Sequence, residues 1–278
     1  MIQYTVISLH TNNDNFEILT AALLDIGCDS FSEENNMLLA YIEKEMYNEQ
    51  IFQDLLHNYQ SQFEIEAEVS DLENKNWNEE WESNFKPVKV GDECIVRASF
   101  HPKDKDYTYD IVINPKMSFG TGHHETTHMM LEHILNMNIE GTTLMDAGSG
   151  TGILAILAAM RGATDVVAFD IEDWAFHNAV ENAALNRCGH IHVLQGSINT
   201  LELPFAAYDI ILANINKNVL LEEISVYYKF LKPGGKLVLS GFYEHDIPDL
   251  DKKAKALHYL SEKINVKNNW ASIIYSKT

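Results

Sequence analysis

The sequence predicts an α/β protein: a doubly wound, mostly parallel sheet in its second half, preceded by a small α+β unit of ferredoxin-like order. Three observations carry this. From about residue 142 onward, short apolar strands alternate with helical segments, the pattern of a parallel sheet covered on both faces. Residues 1–69 run strand, helix, strand, helix, strand, which suits a two-layer sandwich. A glycine-rich turn, Gly148-Ser149-Gly150-Thr151-Gly152, joins the first strand of the second half to an apolar helix. At 278 residues the chain is long for one compact domain and comfortable for two.

In the first unit, residues 3–9 alternate as a strand, and residues 14–26 have helical spacing with Asn13 or Asp14 as cap and Gly27 as stop. Residues 37–42 read as a second strand, with a further short one near Phe31. Residues 49–59 place Ile51, Phe52, Leu55, Leu56 and Tyr59 on one helical face. Phe63, Ile65, Ala67 and Val69 alternate with Glu64, Glu66 and Glu68, an acidic strand that closes the unit. Residues 70–87 form a linker in which Trp77, Trp81 and Phe85 recur at helical spacing. Residues 88–278 form the second domain, opening with two or three short strands over 88–113. Its strands are expected at 143–147, 166–170, 190–194, 208–213 and 236–240. Helices are expected at 153–161, 173–186 (capped by Asp173) and 219–231, and two last strands surround Asn268 and Asn269.

The bulk properties bound the function. Hydrophobic residues make up 46% and charged residues 22%, an ordinary globular composition. No apolar run of about 18 residues implies a membrane span, and the N-terminal residues lack a secretion signal, so a cytoplasmic location is expected. Cys28, Cys94 and Cys188 lie far apart and form no metal-binding or disulfide pattern. The net charge of −21 argues against direct capture of nucleic acid and suits a basic partner. A monomer is expected. His123, His124, His128 and His133 cluster, but without a glutamate-flanked zinc string or a nearby cysteine no metal is expected.

The glycine turn carries the chemistry. Glycines let the backbone turn tightly and let a ligand approach the main chain. The helix start that follows adds N–H groups and the positive end of a dipole. A dinucleotide fingerprint spaces its glycines Gly-x-Gly-x-x-Gly. Here the third glycine, Gly152, comes one residue early, and the loop lies behind Asp146. Asp170 ends the next strand about twenty residues on, where an acid can accept both hydroxyls of a ribose; alone it reads equally as a turn or capping acid. The fourth strand ends in Ala213-Asn214-Ile215-Asn216, at the carboxyl edge where doubly wound sheets place ligand contacts.

Gly-x-Gly-x-Gly behind an acid resembles the first motif of class I methyltransferases, which have a Rossmann-like sheet and bind S-adenosyl-L-methionine. The string Asn114-Pro115-Lys116-Met117-Ser118-Phe119-Gly120-Thr121-Gly122-His123-His124-Glu125-Thr126-Thr127 is more specific. It resembles the signature of the ribosomal protein L-eleven (L11) methyltransferase family, Asp-Pro-Gly-x-Ala-Phe-Gly-Thr-Gly-x-His-x-Thr-Thr, as does the tryptophan-containing segment from Trp77 to Val90. The resemblance implies S-adenosyl-L-methionine as cofactor and L11, a basic protein, as partner. It also implies a substrate-recognising N-terminal domain and methylation of amino groups on lysine side chains and possibly the N-terminal α-amine. Carried over by position, Thr127, Gly148, Asp170 and Asn214 match cofactor contacts, joined by Asp146, Gly150 and Gly152 of the loop, with Phe119 and Gly120 beside the same pocket. Asn214 is also the candidate catalytic residue, shaping the amine site together with the loop over 114–127. Asn114, Lys116, His123, Glu125, Asn216 and Lys217 depart from the family pattern around these positions. The alternatives are a methyltransferase acting on a small metabolite or another protein, a nicotinamide-dependent oxidoreductase, and a non-catalytic module on the same fold.

Overall fold

The computed structural model describes residues 4–34, 37–71, 85–114, 116 and 118–278. The chain divides into two compact units, Met1–Glu80 and Trp81–Thr278. The linker residues Trp77 and Trp81 lie outside the described residues.

The first unit runs β1 (Tyr4–His10), α1 (Phe16–Asp25), β2 (Ser30–Glu34), β3 (Met37–Glu43), α2 (Glu49–Gln60) and β4 (Glu66–Asp71). Its strands are antiparallel neighbours in the order β2-β3-β1-β4. This is the ferredoxin-like arrangement, and the short strand near Phe31 is the β2 that completes it. The pleat decides the core: along β3, Leu38, Ala40 and Ile42 are buried while their neighbours are not. They meet Leu19 and Leu23 of α1 and Phe52 and Leu56 of α2. Ile51, expected on the apolar face of α2, is exposed. Asn12, rather than Asn13 or Asp14, caps the first helical turn, accepting the N–H of Asp14 at 3.2 Å, and that turn is a 3-10 segment leading into α1. Only the carboxyl half of the expected acidic strand pairs, because residues 61–65 are taken up in leaving α2.

The second unit opens with β5 (Val88–Val90), β6 (Cys94–Arg97) and β7 (Tyr109–Val112), a small sheet of their own. Then follow α3 (Glu125–Asn136), β8 (Thr143–Ala147), α4 (Ile153–Met160), β9 (Asp165–Asp170), α5 (Asp173–Leu185), β10 (His192–Gln195), β11 (Tyr208–Asn214), α6 (Lys217–Phe230), β12 (Leu231–Tyr243), α7 (Ile247–Ala256), β13 (Tyr259–Lys267) and β14 (Trp270–Lys277). The sheet order is β10-β9-β8-β11-β12-β14-β13, parallel except where β14 runs antiparallel to both neighbours.

Both faces of this sheet are buried, and successive residues serve opposite faces. Leu144, Ala168 and Leu212 pack toward α4, while Met145, Ala147, Phe169 and Ala213 pack toward α6. That is why these strands read as continuous apolar runs. The helices α3 and α7 were not anticipated from periodicity. The turn Asn268-Asn269 has φ of +49° and +66°, the left-handed pair of a two-residue hairpin. Strand order reverses between β8 and β11, so the crevice at their carboxyl ends is the switch point where such sheets bind ligands. Among the described residues no helix is long and apolar enough to cross a membrane.

Candidate active site

A cavity of about 550 Å³ opens at that switch point. Phe119, Gly148, Gly150, Asp170 and Asn214 line it, together with Trp174, Ser197, Glu223 and Trp270. Of the other residues singled out in the sequence, Thr127, Asp146, Gly120 and Gly152 stand behind its wall.

The glycine loop is a shaped wall rather than a row of free donors. Gly148, Gly150 and Gly152 have φ of +69°, +53° and +78°. The N–H groups of Gly148 and Ser149 both donate to the carbonyl of Phe169 at 2.9 Å. Gly150 N–H donates to Asp170 Oδ2 at 2.9 Å, Thr151 N–H to the carbonyl of Phe119 at 2.9 Å, and Gly152 N–H to Ser149 at 2.8 Å. These five N–H groups are spent within the protein. A Cβ on Gly150 would come within 2.3 Å of the carbonyl oxygen of Phe119, so this position has no room for a side chain.

Asp146 explains the helix start. It is 1% exposed, and its Oδ2 accepts the N–H of Ala155 in the first turn of α4 at 3.2 Å. Burial pushes its carboxyl up to about 7, with the Ala155 N–H pulling the other way and nearby Asp170 adding to the rise. A dinucleotide would put its pyrophosphate at this helix N-terminus. Here a protein carboxyl group already occupies it, which argues against the nicotinamide reading.

Asp170 has both oxygens engaged: Oδ2 takes Gly150 N–H, and Oδ1 takes Glu172 N–H at 3.1 Å. One acceptor site on each oxygen remains for a ligand hydroxyl. The second bond organises the turn into α5, whose N-cap is Glu172 rather than Asp173. Asn214 Nδ2 donates to Thr127 Oγ1 at 3.3 Å, and Thr127 is itself buried at the start of α3. Asn214 Oδ1 is buried with no protein partner. A donor from water or from a ligand completes such an acceptor. Asn216 caps α6 by accepting Val219 N–H at 3.2 Å.

A feature not picked out in the sequence holds the loop upstream. Asn178 and Asn182 of α5 and Asn186 at its C-cap, spaced four apart, reach across to residues 112–114 and to the glycine loop. Asn186 brackets the backbone of Val112 with bonds of 2.8 and 2.7 Å. Asn182 accepts Asn114 N–H at 2.8 Å and donates to the carbonyl of Thr151 at 2.9 Å. The spacing was legible as one helix face; its partners were not. The histidines point apart: His123 bonds the carbonyl of Lys86, His124 caps α3, His128 faces Glu132, and His133 is buried against Ser272.

The lining chemistry selects the ligand. Asp170, Glu172 and Glu223 are acidic, and among the described lining residues none is Lys or Arg. Burial raises the carboxyl of Glu223, against the pull of its bond from Tyr227. A cationic ligand fits this wall, and a phosphorylated one does not. Carboxylates, a buried unpartnered amide oxygen and a glycine-rich loop together fit S-adenosylmethionine, whose sulfonium and ammonium are both cationic.

The family model described as ribosomal protein L11 methyltransferase (PrmA) matches residues 3–278. The chain belongs to this family. It is 40% identical over 267 residues to the ribosomal protein L11 methyltransferase of Phocaeicola vulgatus, covering 95% of each chain. It is 42% identical to that of Porphyromonas gingivalis, covering 94% of this chain and 90% of the relative. A crystal structure of ribosomal protein L11 methylase from Lactobacillus delbrueckii subsp. bulgaricus superposes with a TM-score of 0.64 at 26% identity, over 70% of this chain and all of that one. As a member of the L11 methyltransferase family, the chain carries the class I methyltransferase fold in its second unit.

Proposed function

We infer that this chain is a protein methyltransferase that transfers methyl groups from S-adenosyl-L-methionine to amino groups of ribosomal protein L11, on lysine side chains and possibly the N-terminal α-amine. The observation that carries the reading is the cavity at the switch point. Its described lining holds three carboxylates and no Lys or Arg, and the buried oxygen of Asn214 awaits a donor.

The cofactor, when bound, supplies an already activated methyl group on sulfur. The residues that would hold it are Gly148 and Gly150 along the main chain, Asp170 at a ribose, and Phe119 over the loop, with Asp146, Gly120, Gly152 and Thr127 setting the wall behind. The protein's task is then to align and to exclude water. An attacking amine must be neutral, although lysine's reference pKa is about 10.4. Desolvation among Phe119, Trp174 and Trp270 and the positive sulfonium of the cofactor would favour the neutral form at the attack, against the lining carboxylates, which favour the cation on arrival. Asn214 would shape the amine site, with its Oδ1 free of a protein partner and its Nδ2 bonded to Thr127.

The first unit suits a recognition role. The exposed side chains of β4 are those of Glu66, Glu68, Ser70 and Asp71, an acidic strand at the edge of its sheet. That surface matches a basic protein, as does the net charge of −21. The expected monomeric state and cytoplasmic location belong to the same reading.

The test is intact-mass spectrometry of purified L11 incubated with the enzyme and S-adenosylmethionine. Mass gains in steps of one methyl, mapped to amines, support the reading. No gain, with cofactor binding intact by calorimetry, discards L11 and retains a methyltransferase of another substrate.

A further inference from the structure

One side of the cavity is built from aromatic rings that neither the glycine loop nor Asp170 requires. Phe119, His124 and Trp270 all line it. The centroids of Phe119 and His124 lie 5.2 Å apart at 62°, and those of His124 and Trp270 4.7 Å apart at 69°. Trp270 stacks on Tyr243 at 4.1 Å and 28°. Four rings from three separate stretches of the sequence thus form one continuous surface, although Phe119 is 53% exposed and Tyr243 42% exposed.

Their positions are fixed by backbone and polar contacts. Trp270 opens β14 and pairs with Tyr243, the last residue of β12. The hairpin turn before it is tied down twice: Asn268 Nδ2 donates to Glu125 Oε1 at 2.9 Å, and Glu244 N–H donates to the carbonyl of Asn269 at 2.8 Å. The His124 ring is pinned through Nδ1, which accepts Thr126 N–H at 3.3 Å. Across the sheet Asn214 pairs with Ser240, and Ser240 with Ser272. The β14 backbone is therefore two strands, about 10 Å, from Asn214. The rings flank the amide instead of covering it.

We propose that Phe119, His124 and Trp270, with Tyr243 backing Trp270, form the subsite that grips the alkylammonium side chain of the substrate. The proposal rests on the amine-methylating reading above and adds which residues take the amine's side chain. Ring surfaces accept the methylene stem, and ring faces attract the cation. The acidic lining, with no Lys or Arg among its described residues, commits the surface to a cation over a neutral apolar chain. Asn214 Oδ1 can accept only from a nitrogen that still bears a hydrogen. Attraction to the rings needs no N–H, so it persists as methyls replace hydrogens. The amine is thus released stepwise by Asn214 and kept by the rings.

The test uses the full chain and its Trp270→Leu and Trp270→Phe variants. In a calorimetric or NMR titration, the wild type should bind an acetylated trimethyllysine amide about 10-fold more tightly than the neutral carbon isostere. Trp270→Leu should lose that discrimination, and Trp270→Phe should keep most of it. With L11 and saturating cofactor, Trp270→Leu should raise KM about 10-fold while the cofactor Kd stays within about twofold of wild type. Equal binding of cation and isostere by the wild type, or an unchanged KM in Trp270→Leu, overturns the subsite. Discrimination in the wild type, lost in Trp270→Leu, without any methylation of L11 leaves the subsite standing and removes the substrate reading instead.

Discussion

Asp170 Oδ2 accepts the backbone N–H of Gly150 at 2.9 Å, so the acid ending β9 and the loop following β8 form one hydrogen-bonded unit. Asp170→Ala removes the proposed ribose acceptor and also strands the N–H groups of Gly150 and Glu172. Each stranded group costs about 1–3 kcal/mol where it is shielded from water. The variant should therefore lose far more cofactor affinity than Asn214→Asp, which keeps an oxygen at the buried acceptor position. Calorimetric titration of both variants checks this, and equal losses would refute the division of roles.

Gly150→Ala should be the most damaging single-methyl insertion in the loop. Its φ of +53° is unfavourable for alanine, and the new Cβ meets a backbone oxygen at 2.3 Å. At Gly148 the clash is instead with the Cγ2 of Ile215, a side-chain atom that can turn aside. A loss of about 3 kcal/mol is expected for Gly150→Ala, and less for Gly148→Ala. Urea unfolding of the two variants orders them.

Much of this site was legible in the sequence because its signals are local. A strand-glycine-helix pattern, an acid at the next strand end and an asparagine at the fourth need only spacing to be read. The core strands were legible for the same reason, with residues 143–147 read residue for residue. What escaped depends on contacts remote in sequence. Trp270 becomes part of the cavity only because antiparallel β14 lies beside β12. Asn182 gains meaning only when Asn114, far upstream, arrives at its side chain. Helix α7, with Leu250 and Ala254 as its buried residues, offered too short a stripe to stand out. The contact of Asp146 with Ala155 N–H in the helix N-terminus is likewise beyond what spacing alone displays.

Two buried groups should tilt stability with pH in opposite senses. His133 is held down to about 4 by burial and then by Lys263, from an ordinary 6.5. Between those values the unfolded chain takes up a proton that the folded chain refuses, so stability falls as pH drops, by about 3 kcal/mol at the acid end. Asp146 is raised from 3.8 to about 7. In that window the folded chain holds a proton the unfolded chain lacks, so stability rises as pH drops, by about 4 kcal/mol. Without cofactor, His133→Gln should therefore gain stability between pH 7 and pH 5 relative to wild type, and Asp146→Asn should lose it. Urea midpoints at the two pH values decide the matter; parallel shifts in both variants would contradict the assignments.

Deleting residues 1–69 should leave S-adenosylmethionine affinity within about twofold while abolishing methylation of L11. The core of the first unit, around Ile7, Leu19 and Phe52, shares no residue with the two clusters flanking the large sheet. Survival of L11 methylation in the truncated protein would end the recognition role.

The zipper between Phe119-Gly120 and the glycine loop reaches beyond shape. Thr151 donates twice to that segment, through its N–H to the carbonyl of Phe119 at 2.9 Å and through its hydroxyl to that of Gly120 at 2.5 Å. The main chain proposed to hold the cofactor is thereby stitched to the ring proposed to meet the substrate. Any coupling between the two positions would run through this seam, and reciprocity would give it the same factor in both directions.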